Sequence, residues 1–348
     1  MESKNKQKSI IKIIRNIILS VLALVILIYV IVNIVFWKKG MPERYFEYTI
    51  LENDTVEIEY YRGPYFLLNI PETIDGRTVT SIGYHIMWAK DIKAINRFSP
   101  FIISVHLPDT VEEIHCLAFE DCTNLRTINM PSNLKRTGSH ILLGTKVTKL
   151  VFPEGITEIG CGQDIDNENL PCLCSFSEMK YLNEIIFPHS LKKIGNNAFS
   201  RCPSLKKLTI PDSVEEIGYG AFQESGITES NIPQKLVTDC GCIFKGTPFE
   251  EKLEKEASDG FVIFNDVLLY KYCGSDEKVV IPDGVETLCT RSFWSAPDVK
   301  TVELPESIKD INNAFEYSGV TKLLVPDNAD PETDMKYEDY RKLRRYKS

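Results

Sequence analysis

A motif of about 23 residues recurs along most of this chain of 348 residues. Its most regular marker is an apolar residue followed by proline, which recurs in one register at Pro71, Pro108, Pro131, Pro153, Pro188, Pro211, Pro233, Pro282, Pro305 and Pro326. Six of the nine intervals between these prolines are 21 to 23 residues long, and the others are 35, 37 and 49. A constant period of this length indicates a solenoid of stacked coils, which presents extended surfaces rather than one deep catalytic pocket.

Each unit contains a short strand, a proline and a bend. Before the proline the apolar residues alternate, as at Leu208 and Ile210, and alternation predicts a strand with one buried face. The proline ends the strand because it has no N–H to offer the ladder. A second apolar pair, such as Val214 and Ile217, then leads to a position that glycine usually occupies, as at Gly218. A small residue there suggests a tight bend.

A phenylalanine that follows Ala or Ser closes many of the units, at Phe119, Phe176, Phe199, Phe222, Phe293 and Phe315. Stacked coils would place these rings in one buried column. Each aromatic side chain buries about 150–250 Å², so we expect this column to supply much of the core.

This pattern resembles that of the BspA-like leucine-rich repeats, whose unit reads Leu-x-x-Ile-x-Ile-Pro-x-x-Val-x-x-Ile-Gly-x-x-Ala-Phe. The resemblance covers about Tyr48 to Asp327. It implies a right-handed, strand-rich solenoid and a role in cell-surface binding or adhesion. The expected fold class is therefore a strand-rich repeat solenoid with short turns and helical pieces, preceded by one transmembrane helix.

The repeat register divides the chain into segments. We expect a cytoplasmic basic tail at 1–16, a transmembrane helix at 17–37, and a β-hairpin cap with the start of the first repeat at 45–83. A first sub-array at 84–249 and a second at 282–327 are joined by a linker with a second cap-like hairpin at 250–281. A polar tail or helix follows at 328–348. Insertions enlarge the first sub-array at 84–104 and 161–174. Two interpretations of 250–281 stay open: the array restarts near Gly260, or a continuous solenoid carries a hairpin insertion. In the tail, Asp330-Pro331-Glu332 favours a helix start and the basic residues Arg341, Lys342, Arg344 and Arg345 favour a helix end. A frayed tail is the alternative.

Residues 17–37 are long and apolar enough to cross a bilayer, since about 20 residues span one. Five basic residues and only Glu2 precede them, which predicts a cytoplasmic N-terminus and extracellular repeats. The alternative is a cleaved signal peptide. Its apolar core is usually about 7–15 residues and ends at small residues, and this segment is longer and offers no such site.

The net charge of the chain is −9, and the first 16 residues carry +4, which leaves −13 for the rest. An acidic repeat region argues against a nucleic-acid partner. No Walker loop, dinucleotide turn or His-Glu-x-x-His is present, and no motif pairs a histidine with a nucleophile and an acid. We therefore predict no enzymatic activity and no cofactor.

The ten cysteines divide into two groups. Cys122, Cys202, Cys240 and Cys289 occupy regular repeat positions, where a small buried thiol explains them without oxidation. Cys161 lies outside the pattern and could form a disulfide with Cys172 or Cys174, although sequence cannot fix the geometry. The acidic residues between these cysteines lack the pattern of a calcium loop, and no zinc motif is complete, so no metal site is predicted.

The outward side of the strands is the candidate partner-binding surface. Residues just before the last apolar residue of each strand would point outward, and they form the row His106, Asn129, Val151, Ile186, Thr209, Asn231, Glu303 and Leu324. Val151 and Ile186 would be neighbours, and an exposed apolar pair beside polar groups fits a binding centre. The plainer interpretation is that β-branched residues merely suit strands.

Two functions follow from these patterns. The first is a single-pass membrane protein whose repeats bind a protein or glycan outside the cell. The second is a structural envelope protein without a soluble ligand, held in a membrane complex through its anchor helix, in which Asn33 would bond a neighbouring helix.

Overall fold

The computed structural model describes residues 2–84, 86, 101–160, 175–236, 241–257, 259–325 and 344–345. It contains a long N-terminal helix, α1 (Glu2–Lys39), a 3-10 turn (Glu43–Tyr45) and a short helix, α2 (Pro248–Glu256). The strands are β1 (Phe46–Ile50), β2 (Val56–Tyr61), β3 (Leu67–Asn69), β4 (Thr73–Ile74), β5 (Arg77–Ile82), β6 (Ser104–His106), β7 (Glu113–Ile114), β8 (Thr127–Ile128), β9 (Arg136–Thr137), β10 (Lys149–Val151), β11 (Glu158–Ile159), β12 (Glu184–Ile186), β13 (Lys193–Ile194), β14 (Lys207–Leu208), β15 (Glu216–Ile217), β16 (Glu229–Ser230), β17 (Phe261–Phe264), β18 (Leu268–Tyr272), β19 (Lys278–Val280), β20 (Thr287–Leu288), β21 (Thr301–Glu303), β22 (Lys322–Leu324) and β23 (Arg344–Arg345).

The strands that precede the repeating prolines form the first ladder. They pair in parallel in the groups β3-β6-β8, β10-β12, β14-β16 and β19-β21-β22. In β10 the central Leu150 is buried while Lys149 and Val151 on either side are exposed, and β12 repeats this pattern. The predicted alternation is confirmed, and it leaves the outer residues of each strand on one continuous face.

The strands that follow the prolines form a second parallel ladder, together with β2 and β18 of the two hairpins. It runs through β2-β5-β7-β9, β11-β13-β15 and β18-β20. Its inward residues, such as Ile114, Ile194 and Ile217, are fully buried. The two ladders enclose the core between them, and the expected fold class, a strand-rich repeat solenoid with one apolar N-terminal helix, is confirmed.

Glycine usually follows the strands of this ladder because the neighbouring coil leaves no room for a Cβ. A Cβ at Gly138 would meet the backbone of Cys116, and a Cβ at Gly218 would meet the backbone of Asn196. Neither glycine has a positive φ. The left-handed residue follows two positions later in most coils, at Leu117, His140, Asn197, Gly220, Cys242 and Arg291. The tight bend therefore lies beyond the glycine, and close backbone approach selects the glycine itself.

His115 occupies the position that glycine fills in other coils, and its ring has a specific partner there. Its Nε2 lies 2.9 Å from Oε2 of Glu57, which is two strands away on β2, and Ser81 of the intervening strand β5 donates a second hydrogen bond to that carboxylate. Burial alone would raise the pKa of Glu57, but the hydrogen bonds from His115 and Ser81 and the charge of His115 hold it below its usual value. The histidine is thus a contact between coils.

The predicted aromatic column is confirmed for Phe176, Phe199 and Phe222, whereas Phe293 and Phe315 pack in the second core. The rings of Phe176, Phe199, Phe222 and Phe244 stack nearly parallel, with successive centroids 5.4, 5.8 and 5.9 Å apart. All four are fully buried. Phe244 extends the column by one coil. The sequence pattern did not identify it because Ile243, rather than Ala or Ser, precedes it.

A hairpin separates the two sub-arrays. Strands β17 and β18 pair antiparallel, as β1 and β2 do near the start of the chain. Strand β18 contributes to both cores: Leu268 and Tyr270 join the first, while Leu269 and Tyr272 join the second. The coils on either side still meet, because a Cβ on Gly241 would meet the backbone of Thr290. The hairpin therefore packs on both cores while the flanking coils stay in contact.

The C-terminal tail is described only at β23. Arg344 pairs with Lys322 and Arg345 with Leu323, parallel to β22. These two arginines lie in a strand, where the sequence favoured a helix end, because β22 offers a strand edge for pairing. The remainder of 328–348 and the insertion at 161–174 lie outside the described residues.

Candidate interaction surface

The outward row predicted from the sequence lies on the open face of the first ladder. Val151 and Ile186 are directly opposed in the register of β10 and β12, and their exposed fractions are 46% and 41%. Thr209, which follows β14, is also exposed. These three residues, Val151, Ile186 and Thr209, are called the central strip below.

The two asparagines of the row are committed to the backbone. The Asn129 side chain accepts a hydrogen bond from Leu107 N and donates one to Leu107 O, both at 2.8 Å. Asn231 makes the same pair of bonds to Ile210, at 2.8 and 2.7 Å. Each amide thereby extends the ladder to the preceding coil, so these residues have a structural reason to be asparagine.

The ends of the row differ from its middle. The ring of His106 packs edge-on against Trp37 of α1, with centroids 6.0 Å apart. Glu303 forms an ion pair with Lys278 at 2.8 Å, and Leu324 is only half-exposed. The row is therefore not one uniform surface, and the central strip is its open apolar part.

One outward residue of the first ladder, far from the central strip, escaped the sequence interpretation. Val280 is 55% exposed at the end of β19 and is directly opposed to Glu303. It precedes Ile281-Pro282 as Val151 precedes Phe152-Pro153. Counting back from the proline in the coil after the hairpin would have found it.

A row of paired charges runs beside the central strip at the first residue of each strand. Lys149 Nζ lies 2.9 Å from Glu184 Oε1, and Lys207 Nζ lies 3.6 Å from Glu229 Oε2. Exposed pairs of this kind contribute about 0–1 kcal/mol each. Their main effect is that the charges next to the central strip already have partners, so covering the strip leaves no lone charge buried.

A shallow groove of about 710 Å³ adjoins the central strip. Ile186, Thr209 and Asn231 line it, together with the polar side chains of His189 and Lys207. Shallow, open and mixed in polarity, it suits a segment of a larger partner better than an enclosed small molecule.

The acidic side chain of Glu154 is bound to His189, one of the residues that line this groove. Glu154 Oε1 accepts hydrogen bonds at 3.1 Å from the backbone N of His189 and lies 3.1 Å from the His189 ring. Together with the backbone N of Ser190, these contacts hold the pKa of Glu154 below its usual value. Glu154 is therefore a fixed negative charge at neutral pH.

Aromatic and cationic side chains cover the junction of the sub-arrays. The Arg291 guanidinium lies 5.0 Å from the ring centre of Tyr219 and 4.8 Å from that of Trp294. Tyr317, 68% exposed, packs on Trp294 with centroids 4.8 Å apart. Because Tyr219 belongs to the first sub-array and Arg291 to the second, this cluster joins the two. Its residues come from coils on the two sides of the long interval, so the register alone did not reveal it.

The cysteines partly follow the prediction. Cys122 and Cys202 are buried free thiols, and burial raises the pKa of each to about 12, which makes them unreactive. Cys289, in contrast, is disulfide-bonded, so its interpretation as an unoxidised core thiol is wrong. The repeat register alone does not show that coils on the two sides of the long interval meet near this cysteine, where a Cβ on Gly241 would meet the backbone of Thr290.

The other predicted cysteine sites cannot be placed. Cys161, Cys172 and Cys174, with the disulfide predicted among them, lie outside the described residues, and so does Cys240. Within the part of the chain that the structure describes, no group of three or more His, Cys, Asp or Glu side chains is arranged to hold a metal ion.

Parallel ladders, an aromatic column and an open outer face define a leucine-rich-repeat solenoid. Residues 93–163, 173–252 and 266–347 match the family described as BspA type Leucine rich repeat region (6 copies). These segments make up well over half of the chain, which therefore belongs to the BspA-type leucine-rich repeat family. Members of this class typically act as interaction modules rather than as enzymes.

Solved structures of bacterial repeat proteins are similar over 81% of this chain. A leucine rich cell surface protein from Faecalibacterium prausnitzii is 21% identical, with 77% of that chain covered and a TM-score of 0.40. A leucine-rich repeat protein from Bacteroides ovatus is 20% identical, with 70% covered and a TM-score of 0.37. The pneumococcal vaccine antigen PcpA is 18% identical, with 74% covered and a TM-score of 0.46. A comparison with curated proteins gives no match.

Proposed function

We propose that this protein is a membrane-anchored interaction module that binds a protein or glycan outside the cell through the central strip. The observation that carries the proposal is the exposed, directly opposed pair Val151 and Ile186, flanked by charges that are already paired. A ligand that covers this pair removes apolar surface from water, which is the main source of binding free energy.

The anchor supports surface display. Lys12–Lys39 is long and apolar enough to cross a membrane, with a mean hydropathy of 3.1 in its most apolar window. Basic residues precede the apolar segment, which favours a cytoplasmic N-terminus. The repeats then lie outside the cell, where the shallow groove and the central strip are accessible to other molecules.

The alternative role is that of a structural protein acting through its anchor helix, in which Asn33 would bond a neighbouring helix. Asn33 is fully buried against the protein's own first coil. Its Nδ2 donates to Tyr29 O at 2.8 Å and its Oδ1 accepts from Phe66 N at 2.9 Å. The amide is thus engaged within the chain, so we favour the ligand-binding role.

A charge introduced into the central strip tests the proposal. The full chain, reconstituted in nanodiscs, is applied to a panel of extracellular proteins and glycans, and each ligand found is titrated against the variants. We expect Val151→Glu combined with Ile186→Glu to weaken binding by about tenfold or more, or about 1.4 kcal/mol, because the new carboxylates must be desolvated.

Val280→Glu is the matched control, because it places the same charge on an equally exposed strand residue of the second sub-array. We expect it to leave affinity unchanged. A ligand that binds the double variant as tightly as the wild type contradicts the assignment of the central strip.

A further inference from the structure

Helix α1 is tied to the first coil of the solenoid at several levels. Besides the bond from Phe66 N to Asn33, the Asn69 side chain donates to Trp37 O at 2.7 Å, and Met41 N donates to Asn69 O at 3.1 Å. Aromatic contacts accompany these bonds: Phe36 packs edge-on against Tyr65, with centroids 5.0 Å apart. The helix and the first coil therefore form one packed unit without a flexible linker.

The opposite face of the same helical turns is bare and apolar. Ile31, Ile34 and Val35 are 50%, 44% and 42% exposed, and they continue the exposed apolar run that begins at Ile17, after the polar pair Arg15 and Asn16. At 1.5 Å per residue, Ile17 to Val35 extends about 28 Å, close to the roughly 30 Å of a hydrocarbon core. The turns that contact the first coil are thus needed to complete the span.

These two observations set the depth of the first coil. Asn33 lies beside Ile34 in the sequence and bonds the backbone of Phe66, so Phe66 lies at the membrane level of Ile34. The bond also satisfies a backbone N–H that would otherwise be costly near lipid. Tyr29 donates to Pro64 O, and its ring lies 5.8 Å from that of Phe66. Aromatic side chains of this kind are enriched where a protein crosses the membrane interface.

The next coil has exposed apolar residues beside Phe66, and together they form an apolar edge of the solenoid. Ile103 N donates to Phe66 O at 2.8 Å, which places Ile103 beside Phe66. Ile103 is 40% exposed and Phe101 is 61% exposed. Arg126 follows in the third coil, where its N donates to Ile103 O at 2.9 Å and its side chain is exposed. An apolar edge followed by an arginine matches the change from acyl chains to phosphate headgroups.

We propose that the first two coils of the solenoid are seated in the membrane interface, with Phe66, Phe101 and Ile103 in contact with lipid. The lipid interface is the partner of this edge, and the seating fixes the orientation of the repeat array relative to the membrane. The proposal rests on α1 being a retained membrane span, which is part of the proposed function, and it is independent of the ligand that the central strip binds.

Site-specific photocrosslinking tests the seating in the full chain. The protein is reconstituted in phosphatidylcholine vesicles that contain a minor phosphatidylglycerol fraction. The photoreactive residue p-benzoylphenylalanine replaces Phe101 in one sample and Ile103 in another, and lipid adducts are measured by mass spectrometry after irradiation. We expect adducts at both positions, several-fold above those at Val280 and Tyr317, which are equally exposed on distant coils.

A fifth position, Leu22 within α1, separates the two ways in which the experiment can fail. Adducts at Leu22 with only background at positions 101 and 103 would overturn the seating while leaving the anchor intact. Background at Leu22 as well would overturn the membrane anchor itself. Crosslinks from position 101 to another protein chain, rather than to lipid, would also contradict the proposal, because they would show that a protein covers this edge.

Discussion

Phe199→Ala is expected to destabilise the first sub-array by about 3–5 kcal/mol, the usual cost of removing a buried phenylalanine. Phe199 is fully buried and stacks between Phe176 and Phe222, with centroids 5.4 and 5.8 Å away. It also meets Phe187 edge-on at 5.7 Å. The neighbouring backbones are held by two ladders and cannot collapse into the space, so the loss includes a cavity as well as apolar burial.

Hydrogen exchange of the full chain locates this effect. Each coil of a solenoid is stabilised mainly by its immediate neighbours, so we expect faster amide exchange in residues 175–236 and little change in β19, β21 and β22. Tyr181→Ala is the matched control: Tyr181 is 41% exposed nearby, and its loss should cost less than about 0.5 kcal/mol. Equal exchange in Phe199→Ala and the wild type would show that the column does not stabilise the coils.

Lys271→Met is the second substitution with a large expected effect, because it leaves Glu250 buried without its cation. Lys271 Nζ lies 3.5 Å from Glu250 Oε1 and also bonds Glu254. Burial alone would lower the pKa of Lys271, but the attraction and hydrogen bonds of these two glutamates raise it above its usual value. Removing one partner of a buried pair typically costs about 3–5 kcal/mol.

The remaining partners of Glu250 explain why this carboxylate holds the junction together. It accepts hydrogen bonds from Tyr270 Oη at 2.8 Å and from Gly246 N at 2.9 Å. Its own N–H donates to Thr247 Oγ1 at 3.1 Å, which caps the start of α2. Helix α2 and the hairpin β17–β18 are thus joined through the buried carboxylate of Glu250. Removing the cation that neutralises it should destabilise both elements.

Urea unfolding of the full chain, followed by hydrogen exchange in 241–272, measures this effect. Lys255→Met is the control, because Lys255 and Glu251 form an exposed pair at 4.0 Å on the same helix, which should contribute about 0.3–0.5 kcal/mol. Adding Glu250→Gln to Lys271→Met removes the lone charge and should recover most of the stability. A double variant that is no more stable than Lys271→Met alone would contradict this explanation.

The coil architecture could be predicted because each coil packs on the coil next to it in sequence. The spacing of the prolines therefore determines which strands pair, and the Ala-Phe position determines which rings stack. Leu150, Ile185 and Leu208 are buried for the same local reason.

The features that the sequence did not predict depend on which partner a particular side chain meets, and the repeat period does not give that partner. The amides of Asn129 and Asn231 bond the preceding coil, and only the three-dimensional register reveals those partners. Gly241 and Thr290 are neighbours although the hairpin lies between them in the chain. Asn33, 33 residues from Phe66 in the chain, resembles any polar residue in an apolar helix until the first coil is placed against it.

The display of the repeats outside the cell is the central claim, and protease treatment of intact cells tests it most directly. The chain carries one tag before Met1 and another after Ser348, and the cells are treated with a protease that cannot cross the membrane. We predict that the C-terminal tag and the repeats are digested while the N-terminal tag stays protected in the membrane fraction. Repeats that resist digestion until the cells are permeabilised, or mature repeats that have lost the N-terminal tag before treatment, would contradict the account.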